Sequence, residues 1–216
     1  DRTGIDIPSY FLDIIKYHTN YDSLANSYQW SYLNEGNIYN IDKGFDPYKN
    51  HTPFVEPNIT EERGELSDKQ INALRKLIEY CNEDKLNALF ICSPIVIKEE
   101  DEKVMNSVAD YIEDNGYEFV DFNKYYDEIG INFETDYGDV NHVNYLGAIK
   151  FTDYFAKYLI DKYDLQDHRG DESYSSWNED YKKMAGKRNE WLSAVQNDLN
   201  SHNEAMEIGE LLHDID

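Results

Sequence analysis

Long apolar runs are missing from this chain. The longest, around Ala88–Cys92 and Ile95–Ile97, fall far short of the roughly 20 residues that a membrane helix needs. Basic residues are scarce: 20 Lys and Arg stand against 44 Asp and Glu, a net charge of −24. That balance argues against nucleic acid and anionic lipid as partners, because each phosphate contact calls for a cation. Cysteine is nearly absent. Cys81 and Cys92 cannot make a disulfide scaffold, and both sit in apolar settings that suit small core residues. The chain starts at Asp1 rather than Met, so it is expected to be a processed product or part of a longer protein. An N-terminal anchor would then leave no trace here.

What is present is enough for one sizeable core. The 216 residues are 40% hydrophobic and 30% charged, a globular composition. Nineteen tyrosines provide flat faces with a hydroxyl, which suits sugars and equally suits half-buried positions.

Three segments are expected. Residues 1–66 read as a helical and irregular N-terminal segment, with helices opening at Pro8 and near Asp22 and His18 at the edge of the first apolar stripe. His51 falls in the irregular part, a long loop of the kind that lines clefts. Residues 67–165 read as an α/β core. Ser67 and Gln70 form a capping box for a helix to Glu83, with Ile71, Leu74, Leu77, Ile78 and Cys81 on its buried stripe. Leu86–Ser93 is an almost wholly apolar strand, the pattern of a strand covered on both faces. Glu99–Asn115 is a helix whose first turn, Glu99-Glu100-Asp101-Glu102, complements the helix dipole. Tyr117–Asp121 is a second strand, and Asn123–Ile129 a short helix ended by Gly130. Residues 166–216 read as a C-terminal helical extension with Trp177, Tyr181, Met184, Trp191, Leu192, Val195 and Leu199 as apolar points.

The last core helix begins after Asn144, a plausible N-cap. Tyr145, Ala148, Ile149, Thr152, Phe155, Ala156, Leu159 and Ile160 form one stripe at helical spacing. Just before it lies Asp139-x-x-His142. A carboxylate that orients an imidazole is the base half of a serine-hydrolase triad. Asp136, Asp139 and His142, at spacings of three, are also a possible but incomplete metal-ligand set.

Asp139-x-x-His142 followed by Asn144-Tyr145-x-Gly147-Ala148-x-x-Phe151-Thr152 resembles the last signature block of SGNH/GDSL hydrolases. The strands LFICSP and YEFVDFN and the tail DLQDHRGDESYSSW are similar to the extracytoplasmic Gram-positive members. Those work beside membrane-bound O-acyltransferases and include the teichoic-acid D-alanylation protein. The resemblance covers about Ser67 to Trp177. It implies a three-layer flavodoxin-like fold, His142 as general base and Asp139 as its orienter. It implies no cofactor. The substrate would be an acylated polysaccharide or cell-wall glycan, with a membrane-bound O-acyltransferase as a possible partner and an extracytoplasmic, membrane-anchored location.

The family's nucleophilic serine, on a Gly-Asp-Ser-like or Gly-Ser-Ser-like loop after a first strand, has no counterpart. No serine of residues 1–66 is flanked by glycine, and only two strands are evident, so the parallel sheet is expected to be incomplete here. Ser93 is a conceivable substitute, although a strand-end residue followed by Pro94 more simply turns the chain. The resulting expectation is an SGNH-type serine esterase or O-acyltransferase represented without its nucleophile. The rival is a non-catalytic glycan-binding or scaffold module with the same fold.

Overall fold

The computed structural model describes the backbone of residues 45–213 and side chains through residue 205. The helices expected at the N-terminus, and His18, lie outside the described residues. The architecture below is that of the unit Pro47–Asp216.

Residues 45–67 form neither helix nor strand, as their prolines suggest, yet they are tied down. The amides of Thr52, Phe54 and Gly64 donate to the carbonyls of Tyr137 (2.8 Å), Phe133 (2.9 Å) and Lys103 (2.8 Å). Helix α1 (Asp68–Glu83) follows, with the Ser67–Gln70 capping box formed as expected. Strand β1 (Leu89–Cys92) leads to α2 (Glu99–Asp114) and then to β2 (Glu118–Asp121). The two strands pair in parallel, Leu89 opposite Glu118 and Cys92 opposite Asp121. A 3-10 turn (Phe122–Tyr125) runs into α3 (Tyr126–Ile129), which Gly130 ends in the left-handed region at φ 75°. Then come β3 (Tyr137–Asp139), β4 (His142–Val143), α4 (Tyr145–Lys162) and the long α5 (Ser175–His213). The result is mixed α/β with a small parallel sheet.

Phe122, fully buried, is the hub of the core. It joins Val120 and Ile129 beneath Leu89, Ile131 and the aromatic face of α4. The rings of Phe151 and Phe155 meet it edge to face at 5.1 and 5.4 Å. Each such pair adds about 0.5–1.5 kcal/mol beyond area burial. A second cluster, Tyr126, Phe133 and Tyr137, packs under Phe54, Ile59 and Val96.

Four expectations need correction. The stripe of α4 is only partly the expected one: Tyr145 is buried and Ala148, Ile149, Phe155 and Leu159 are half-buried, but the covered face is turned. Phe151, Tyr154, Phe155 and Tyr158 face the core, whereas Thr152 and Ala156 are exposed and Ile160 is 66% exposed. Phe151, Tyr154 and Tyr158, outside the expected stripe, turn the covered face toward the Phe122 cluster. On α1 only Ile78 and Cys81 are buried, and Ile71 and Leu77 stand exposed. Nor is β1 covered on both faces, since Ile91 is exposed. Among the described residues only two strands form the parallel sheet, so its helices have little surface to cover. Lastly, the segment around Asp139 is no plain loop. It is an antiparallel hairpin too short for an alternating pattern to reveal.

The C-terminal helix packs back. Trp191, Val195 and Leu199, spaced by four, are buried, and the Trp191 ring meets Tyr145 edge on at 5.2 Å. Trp177 and Tyr181, further toward the start of α5, are exposed.

Candidate active site

The hairpin sets Asp139 directly across from His142, with only Val140 and Asn141 between them. The carboxylate closes its own turn by accepting from the Asn141 amide at 2.8 Å. Its two oxygens lie 2.8 and 3.0 Å from His142 Nδ1. Burial alone would raise the Asp139 pKa. The Asn141 amide, His142 and the Tyr48 hydroxyl together outweigh that and hold it below the ordinary carboxylate value. An ionised Asp139 accepts from Nδ1–H, which fixes the tautomer and leaves Nε2 as the basic nitrogen. The His142 side chain is 53% exposed, so that nitrogen is reachable from solvent.

Three local features hold the pair. The Tyr48 ring stacks on the imidazole, centroids 4.7 Å apart and planes within 11°. Gly138 makes room for it, because a Cβ there would lie 2.5 Å from Tyr48 Cδ1. Asn50 Nδ2 and Thr52 Oγ1 both donate to the Gly138 carbonyl, at 2.9 and 2.8 Å. Behind the hairpin, Asn144 is fully buried. Its Oδ1 caps α4 by accepting from Leu146 (3.0 Å) and Gly147 (3.3 Å). Its Nδ2 donates back to the Thr135 carbonyl at 2.7 Å. Gly147 is needed here too, since a Cβ would fall 2.5 Å from the Asp136 carbonyl. Asparagine at position 144 therefore anchors the helix to the segment leading into the hairpin.

Asp136 does not join Asp139 and His142. It is 1% exposed and its carboxylate accepts from the Asn132 amide (2.8 Å), the Thr135 hydroxyl (2.9 Å) and Lys150 Nζ (2.5 Å). Its role is to brace the approach to the hairpin.

The Val96 amide donates to the Val140 carbonyl at 2.8 Å, which ties the hairpin to the segment leaving β1. The pair thus stands toward the carboxyl-terminal ends of the parallel strands, where sites in open α/β sheets gather. Ser93 lies in that same segment and is exposed. Among the described residues no serine hydroxyl hydrogen-bonds to His142. Cys92 offers no thiolate, because burial, with the Asp121 charge adding to it, pushes its thiol up to about 11. A cleft of about 420 Å³ opens at the other ends of the strands, between Asn87, Asn115, Tyr117 and Glu118, and includes neither Asp139 nor His142.

A second His–Asp pair went unseen in the sequence. Asp198 Oδ2, on α5, accepts from both the amide and Nδ1 of His51, at 2.7 and 2.8 Å. The His51 side chain is only 3% exposed, and His202 meets it edge on at 4.8 Å. Nothing local marks this pair, since 147 positions separate its members. Tyr48 was equally invisible, since it touches His142 only through the folded loop. Comparison of the chain with protein-family models, with curated proteins and with solved structures returns no match.

Proposed function

We propose that Asp139 and His142 are the orienter and general base of an SGNH-type serine esterase or O-acyltransferase acting on acylated cell-surface glycans. One observation carries this reading: an imidazole with Nδ1 held 2.8 Å from a carboxylate, and its ring half-exposed on a braced hairpin. The chain resemblance supplies the reaction class, and the three-layer flavodoxin-like fold belongs to the same proposal. So do an extracytoplasmic location, an anchor outside this sequence and a membrane-bound O-acyltransferase as partner.

The chemistry assigns the following roles. A serine hydroxyl, contributed from outside the described residues, attacks the acyl carbonyl as His142 Nε2 takes its proton. The bond between acyl carbon and glycan oxygen breaks, and that oxygen leaves with the proton from His142. Water or an acceptor hydroxyl then gives its proton to His142, attacks the acyl-serine, and the serine oxygen recovers the proton.

An assay of acyl-ester hydrolysis on the full-length gene product and its His142→Ala variant tests this. Loss of at least about 10³-fold is expected, and equal rates would remove His142 from the mechanism. That no serine among the described residues contacts His142 favours a second reading, a non-catalytic glycan-binding or scaffold module. That reading wins if the full-length protein binds glycan but hydrolyses no acyl ester, with or without His142.

A further inference from the structure

Glu102 belongs to the acidic run at the start of α2, but it is not part of a solvated face. Glu99 and Glu100 pair with Lys103 at the surface, whereas Glu102 is 0% exposed. It shares its buried setting with Asp121, the last residue of β2, which is 7% exposed. Neither oxygen of Glu102 has a hydrogen-bond partner, and neither has Asp121 Oδ2. Asp121 Oδ1 is better served, accepting from Asn123 N (3.0 Å) and Nδ2 (2.8 Å).

Two ionised carboxylates cannot stay together in such a place without donors. The charged and titratable groups around them do not solve the problem. Lys124, in the 3-10 turn, acts on both through space, but its ammonium is bonded to both oxygens of Glu61, at 3.0 and 3.1 Å. Glu61 itself adds a like charge. Cys92 on β1 and Tyr126 on α3 both feel the two carboxylates, and neither is hydrogen-bonded to their orphan oxygens. Among the described residues no side chain or amide donates to these oxygens, and a proton carried by the pair itself supplies the donor.

We infer that Glu102 and Asp121 share a single proton and form a pH-sensitive latch on the segment that supports the Asp139–His142 hairpin. The linkage runs through Asn123, fully buried. Its Nδ2 holds Asp121, and its Oδ1 accepts from the Ile95 amide at 2.9 Å and the Tyr126 hydroxyl at 2.9 Å. The next residue, Val96, donates to Val140 between Asp139 and His142. Losing the shared proton places two like charges under this chain of contacts. The latch stands whether or not His142 performs acyl chemistry.

The titration direction agrees. Burial, reinforced by the Asp121 charge, pushes Glu102 up to about 7 from an ordinary 4.5, and burial raises Asp121 as well. A carboxyl raised on folding stabilises in its protonated form. The contribution is complete below the ordinary value of 4.5 and is lost as pH climbs through about 7.

The test pairs carboxyl NMR with thermal melts of the whole chain. With ¹³C-labelled glutamate, one side-chain carboxyl should titrate with a midpoint near 7 and vanish from the spectrum of Glu102→Gln. Between pH 5.5 and 8 the wild type should lose roughly 5 °C of Tm. Glu102→Gln, whose amide donates permanently, should keep its Tm and melt higher than wild type at pH 8. If that variant does not fold, Asp121→Asn serves instead and should bring the glutamate midpoint down. Wild-type glutamates that all titrate below about 5.5 overturn the proposal, and so does a Glu102→Gln melt that parallels the wild-type pH slope.

Discussion

Two His–Asp pairs with the same bond length have opposite surroundings. His142 and Asp139 are neighbours on one hairpin, and the imidazole is half open to solvent. His51 and Asp198 come from a loop and a helix far apart in the chain, and that imidazole is shut in. In the buried pair, Asp198 Oδ2 also accepts the His51 backbone amide, so the carboxylate holds the loop itself. In the open pair, the ring is steadied by Tyr48 while one nitrogen stays accessible. The Nδ1–carboxylate distance, 2.8 Å in both, therefore does not distinguish a base from a fastener. Access to the far nitrogen is what a base needs and a fastener does not.

This contrast can be broken in four ways. The largest effect is expected at the open pair. In the full-length protein, Asp139→Asn should lower acyl-ester turnover by about 10⁴-fold through loss of the correct tautomer, with the melting temperature nearly unchanged. Asp198→Asn should show little of that loss in kcat. Next comes the buried pair. His51→Ala should cost about 2–3 kcal/mol in urea unfolding, by removing a buried ring and its bonds to Asp198. His142→Ala, at an exposed site, should stay within about 0.5 kcal/mol of wild type. A cost at His142 matching that at His51 would erase the distinction.

Gly138→Ala is smaller. The added Cβ runs into the Tyr48 ring, and overpacking of this kind costs about 1–3 kcal/mol. The stacking on His142 should be lost, which an aromatic-shift change of the His142 ring protons would report. The smallest effect is in acid. The His51 amide, opposed by burial and helped by the rings of His51 and His202, holds Asp198 below the ordinary carboxylate value. A depressed carboxyl stabilises above its ordinary value, and that share is lost as pH falls through the folded value. Melts below pH 4 should therefore flatten in Asp198→Asn relative to wild type.

Features written in neighbouring residues were legible in the sequence. The Ser67–Gln70 box, the Asn144 cap, the Gly130 stop and the two short strands of the parallel sheet follow from local chemistry, and so does the proximity of Asp139 to His142. Features that depend on which face finds a partner were not. The turn of the α4 stripe toward Phe151, Tyr154 and Tyr158 depends on Phe122, and the exposure of Ile71, Leu77 and Ile91 depends on how few strands the described sheet has. Glu102 was hidden among three solvated acids, and only its depth in the fold separates it from them. His51 and Asp198 carry no pattern at all.

The reach of the His51–Asp198 bond has a kinetic consequence. Joining residues 147 positions apart demands a large loop-closure entropy, so such contacts tend to form after the local ones. We predict that the docking of α5 onto the 47–54 loop is a late event, formed after the folding transition state. Weakening it should leave the refolding rate nearly unchanged and speed unfolding instead. On that prediction the fastening of α5 is a brake on escape from the native state.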